Sequence, residues 1–136
     1  VENSLNNKLK VVFCIGENKK QKKNKKTFEV LENQIKNVLE KKFNSKDIII
    51  AYEPIWSIGT GQIPDADDLL KTSIFIKKIL KDIFKKKSSP AVLYGGSVDG
   101  KNISQFKKLN EIDGFLIGGA SKSDKNFIDI IKNYYR

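Results

Sequence analysis

Four times along the chain, a short and nearly all-apolar run stops at a glycine-bearing segment. Residues 9–15 end at Gly16. Residues 47–53, with Ile48, Ile49 and Ile50 unbroken, open a loop that reaches Gly61. Residues 90–94 stop at Gly95-Gly96, and residues 113–117 stop at Gly118-Gly119. Short runs rich in β-branched residues and closed by turn glycines read as strands. Between them the apolar spacing changes to three or four residues, the period of a helix. Strands alternating with helices mean parallel pairing and right-handed crossovers. Strands apolar at nearly every position mean burial on both faces. The fold class is α/β, and two layouts remain: a small doubly wound sheet or part of a (β/α)8 barrel.

The spacing predicts a helix over 27–43 with Phe28, Leu31, Ile35, Val38, Leu39 and Phe43 inward and Thr27 as its N-cap. The longest helix is predicted over 65–87, its apolar face made by Leu69, Leu70, Ile74, Ile79, Leu80, Ile83 and Phe84. A short helix is expected over 103–109, capped by Asn102. A last helix is expected over 124–135 with Phe127, Ile128, Ile131 and Tyr134 inward. Residues 1–9 read as the tail of a helix before the first strand.

A net charge of +10 invites a nucleic-acid reading, and the composition argues against it. Twenty-five of the 26 basic residues are lysine and only Arg136 is arginine, whereas base-specific readers rely on bidentate arginine. Isoleucine, at 18, and asparagine, at 12, are abundant too, so AT-rich codon usage accounts for the charge. The run 19–26 reads as a solvated loop and helix start, and no nucleic-acid partner is expected. No run of about 18 apolar residues is present, so no membrane span is expected. Cys14 is the single cysteine, which excludes an intrachain disulfide, and a cytoplasmic setting is expected. Without histidine or a cysteine pair, no metal is expected. Cys14 itself reads as a buried, unreactive apolar residue.

Every chemically promising cluster lies after a strand, the rim where a parallel barrel holds its active site. Glu53 ends an apolar strand and precedes Pro54, which favours extended geometry and projects the carboxylate. Flanked by Tyr52, Ile55 and Trp56, it would be partly desolvated and suited to act as a base. Pro54 and Trp56 stiffen the following loop, Gly59 and Gly61 free its tip, and Ile58 offers apolar cover. That is the chemistry of a lid that excludes water. Gly95-Gly96-Ser97 and Gly118-Gly119 bring backbone N–H groups close to an anion.

VVFCIGE at 11–17, AYEPIWSIGTG at 51–61, LYGGSV at 93–98 and GFLIGGAS at 114–121 resemble four successive signatures of the triosephosphate isomerase family, in the family's order. A complete TIM barrel needs about 250 residues. The resemblance therefore implies that residues 1–136 are the C-terminal half, strands five to eight with their helices. It implies interconversion of dihydroxyacetone phosphate and D-glyceraldehyde 3-phosphate through an enediolate, without metal or cofactor. Glu53 matches the catalytic base. Gly59, Ser97, Gly118 and Gly119 match the phosphate cradle. Pro54, Trp56, Ile58 and Gly61 match the lid, Tyr94 and Ser97 residues that hold it closed, and Glu17 the partner of its indole.

The departures matter equally. The family's electrophilic histidine, its substrate lysine and most contacts of its homodimer belong to the first half, which has no counterpart here. The lone chain is therefore expected to be inactive and poorly soluble, with two unpaired sheet edges. Ser57 stands where alanine is frequent, and Gln62-Ile63-Pro64 replaces the common Lys-Thr-Ala. Pro64 is expected to stiffen that hinge and alter lid kinetics. The competing readings are another phosphate-binding barrel, which would not share the lid sequence, and a non-catalytic half-barrel remnant or basic binding module.

Overall fold

The computed structural model describes residues 1–85 and 88–135. Its elements are α1 (Glu2–Asn6), β1 (Val11–Ile15), α2 (Lys19–Lys23), α3 (Thr27–Lys36), β2 (Ile48–Tyr52), α4 (Ala66–Phe84), β3 (Ala91–Tyr94), β4 (Gly114–Phe115) and α5 (Asp124–Tyr135). Short 3-10 turns occupy Ser45–Asp47, Ile103–Phe106 and Gly119–Lys122. The strands form one parallel sheet in the order β1-β2-β3-β4. Ile15 pairs with Tyr52, Tyr52 with Tyr94 and Tyr94 with Phe115, so all four C-terminal ends are level. The loops after the strands thereby gather on one rim.

The core lies between the sheet and its helices. Ile48, Ile50 and Tyr52 of β2 and Val92 and Tyr94 of β3 pack with Leu31, Ile35, Leu69, Ile76, Leu80 and Phe84. Strand side chains alternate between faces, and the other face of β1 presents Val12 and Cys14, both exposed. The expectations of two buried faces and of a buried Cys14 fail together, because among the described residues no layer covers that side of β1.

Several boundaries move for local reasons. Thr27 is the first helical residue of α3, and Lys26 before it makes no side-chain cap. The helix stops at Lys36, although Leu39 and Phe43 stay buried through the turn that follows. Phe28 is half exposed and stacks on Phe75 at 4.4 Å. Asp65 caps α4, its carboxylate accepting from the Asp67 N–H at 2.9 Å. That helix buries Thr72 and Ser73 and leaves Ile74 exposed, the reverse of the predicted face at those positions. Both hydroxyls donate to carbonyls four residues back, at 2.8 and 2.9 Å. The predicted helical end at 86–87 lies outside the described residues.

Residues 103–109 give only a 3-10 turn, and Asn102 does not cap it. Its amide donates to the Ser97 carbonyl at 2.8 Å instead. In α5 the buried residue is Ile130, while Phe127, Ile128 and Ile131 are exposed, so the predicted inward stripe is displaced. The lysine-rich run begins as α2, closed by a reciprocal Asn18–Gln21 capping box. Among the described residues no helix is long and apolar enough to cross a membrane.

Candidate active site

Glu53 extends the sheet one residue beyond β2: its N–H donates to the Ile15 carbonyl at 2.7 Å. Beside it the Gly95 N–H donates to the Tyr52 carbonyl at 2.9 Å. Alternation sends Tyr52 into the helix-covered core and Glu53 to the opposite face. Tyr52 and Trp56 therefore do not flank Glu53, as the sequence suggested. They meet around Glu17, which is fully buried and accepts from Trp56 Nε1 at 2.9 Å and from the Tyr52 hydroxyl at 3.2 and 3.3 Å. Burial, and then the charge of Glu17, push the Tyr52 hydroxyl far above its ordinary range.

The true neighbours of Glu53 are small. A Cβ added at Gly95 would lie 2.6 Å from Glu53 Cγ, and one added at Gly16 would lie 1.9 Å from the Glu53 carbonyl oxygen. Lost solvation first, and then the Glu53 carboxylate, push the Cys14 thiol up to about 11. Sequence reasoning missed this influence of Glu53 on Cys14, although the β1–β2 register and strand alternation place Cys14, Gly16 and Glu53 on one face.

The 54–64 loop folds back over the rim between two buried prolines, Pro54 and Pro64. Ile55 N–H holds its start to the Glu17 carbonyl at 3.0 Å. Gly59 and Gly61 take φ of +66° and +76°, a region costly to residues with a Cβ. At the far side the Ser97 hydroxyl donates to the Ser57 carbonyl at 2.5 Å and accepts from the Gly61 N–H at 3.1 Å. Ser97 is thus occupied with the loop. Tyr94, fully buried, reaches the Ser57 hydroxyl at 3.1 Å; burial raises the Tyr94 hydroxyl's pKa and the Ser57 bond opposes it.

These elements enclose a hollow of about 300 Å³. Its wall includes Glu53, Ile58, Gly59, Gly61, Ser97, Gly118 and Gly119, which the sequence had scattered over three loops. Pro54, Trp56, Glu17 and Tyr94 are not part of the wall and support it from behind. Asp99 and the 95–96 glycines also line it. A larger polar hollow of about 620 Å³, between Asp99 and Asn133, contains none of the predicted site residues. Among the described residues no group of three or more histidine, cysteine or carboxylate side chains is placed to hold a metal.

Comparison with known sequences agrees with this architecture. The family model described as triosephosphate isomerase matches residues 1–134. The chain is 39% identical over 125 residues to the triosephosphate isomerase of Thermodesulfovibrio yellowstonii, covering 91% of this chain and 51% of that one. It is 42% identical over 131 residues to that of Yarrowia lipolytica, covering 96% and 53%. It is 41% identical over 125 residues to that of Saccharomyces cerevisiae, covering 90% and 50%. The chain spans about half the length of these curated relatives. With the four loop signatures gathered on one rim of a parallel sheet and the family model matched almost end to end, the chain belongs to the triosephosphate isomerase family.

Proposed function

We propose that residues 1–136 form the C-terminal half of a triosephosphate isomerase barrel. Completed by the other half, it interconverts dihydroxyacetone phosphate and D-glyceraldehyde 3-phosphate. One observation carries the reading. The Glu53 carboxylate borders the same hollow of about 300 Å³ as the backbones of Gly59, Gly118 and Gly119. A base and glycine backbones that border one hollow of this size suit a small phosphorylated substrate.

Glu53 takes a proton from the carbon beside the substrate carbonyl and returns it to the neighbouring carbon through an enediolate. The backbone N–H groups of Gly59, Gly118 and Gly119 hold the phosphate, with Ser97 at their edge. The loop carrying Pro54, Trp56, Ile58 and Gly61 excludes water, supported by Tyr94 and Glu17. The chain contains no histidine, so the group that polarises the carbonyl comes from the other half. Loss of one such stabiliser costs about 2.7–4 kcal/mol of barrier, and the lone chain is proposed to be inactive. The completed enzyme is proposed to be a cytoplasmic homodimer whose interface lies mostly outside these residues.

The test is isomerisation of D-glyceraldehyde 3-phosphate by the chain alone and by a chimera in which it follows the preceding half of the Saccharomyces cerevisiae relative. Background rates for the chain and turnover by the chimera are expected. A folded chimera without turnover contradicts the reading.

A further inference from the structure

The Ser57 hydroxyl is wholly buried and has three partners. It donates to the Gln62 carbonyl at 2.5 Å, lies 3.1 Å from the Tyr94 hydroxyl and receives the Ser97 N–H at 3.4 Å. A serine hydroxyl has one proton and two lone pairs. With the proton directed to Gln62, the Tyr94 hydroxyl must be the donor in its pair with Ser57. Ser57 Oγ then gives one hydrogen bond and accepts two, which is its full capacity. For Tyr94, buried beneath the loop, this is the only side-chain hydrogen bond of its hydroxyl among the described residues.

The consequence is mechanical. One side chain ties the start of the loop at 57 to its return at 62, to the end of β3 at 94 and to the following turn at 97. The Ser57 carbonyl adds the Ser97 hydroxyl at 2.5 Å, and Ser97 in turn holds Gly61. An alanine at 57 would orphan the Tyr94 hydroxyl, the Gln62 carbonyl and the Ser97 amide at once.

We infer that Ser57 is a lid-positioning residue whose hydroxyl latches the 54–64 loop over the hollow that Glu53 shares with Gly59 and Gly119, and so sets how readily the loop opens. The inference rests on the reading of this loop as a lid, but the latch is measurable without substrate. Trp56 is the chain's only tryptophan and adjoins Ser57. Acrylamide quenching of its emission therefore reports opening of the loop.

Ser57→Ala is expected to raise the quenching constant about twofold or more through local opening, at a temperature where far-UV circular dichroism is native. Tyr94→Phe, which deletes one oxygen, is expected to do the same. The double variant should not exceed Ser57→Ala, because the one tether that Tyr94→Phe removes is among the three lost with the Ser57 hydroxyl. Unchanged quenching in Ser57→Ala, or effects that add in full, overturns the inference. If Ser57→Ala fails to fold, Tyr94→Phe alone decides: increased quenching supports the latch and unchanged quenching overturns it. Failure here leaves the isomerase reading intact, whereas an inactive completed barrel overturns that reading and leaves the latch standing.

Discussion

The Trp56 indole donates at 2.9 Å to the carboxylate of Glu17, a fully buried acid one residue beyond the Gly16 turn. The bond anchors the loop's near end to the end of β1, so loop and sheet form one unit there. Removing the acceptor leaves two donors, the indole and the Tyr52 hydroxyl, facing a buried gap. Glu17→Ala is therefore expected to destabilise the fold by about 1–3 kcal/mol for each donor left unpaired. Glu17→Gln, which keeps an acceptor oxygen, should cost less. Urea unfolding of both variants tests the order; equal midpoints would remove the anchor from the account.

Cys14 gives a pH test with a defined sign. Its thiol is pushed up to about 11 from an ordinary 9.0, by lost solvation first and then by Glu53. The thiolate is the species that alkylates, so at pH 8 the reaction with iodoacetamide should run about a hundredfold below that of an ordinary thiol and climb through pH 11. Glu53→Gln removes the negative charge and should accelerate alkylation at pH 8. A rate equal to that of free cysteine, unaffected by the substitution, would deny the influence of Glu53 on the thiol.

Two glycines beside Glu53 should respond differently to alanine. At Gly95 the new Cβ meets the Glu53 side chain at 2.6 Å, and that side chain can swing away. At Gly16 it meets the Glu53 carbonyl oxygen at 1.9 Å, which is backbone held in the sheet. Gly16→Ala should therefore cost about 1–3 kcal/mol or more, as overpacking does, and Gly95→Ala distinctly less. In the completed barrel Gly95→Ala should still lower kcat about a hundredfold, because a base displaced by an ångström is poorly aligned. Thermal melts and steady-state rates of the pair check both halves of the contrast.

The rim of the sheet was legible in the sequence because glycines and Glu53 stop the apolar runs at the points where the strands end. Parallel order was legible because helical spacing separates those runs. What escaped depends on partners distant along the chain. The hydroxyl of Ser57 acquires its role from Tyr94, 37 residues away. The exposure of Cys14 depends on whether a second layer lies over its face of the sheet, which no local pattern encodes. Tyr52 and Trp56 look like neighbours of Glu53 in the sequence, yet strand alternation and the loop's path give both to Glu17. In α5, apolar residues at 127, 128, 130, 131 and 134 define two overlapping stripes, and packing on the 103–106 turn selects Ile130.

The most direct test of the account concerns the reaction itself. In the chimera that completes the barrel, kcat for D-glyceraldehyde 3-phosphate is measured with Glu53 intact and with Glu53→Gln, the fold of each checked by circular dichroism. A general base contributes about 10²–10⁴ in rate, and a loss of that size with a near-native KM is the expected result. Equal kcat in two folded proteins would contradict the assignment of Glu53 as the base.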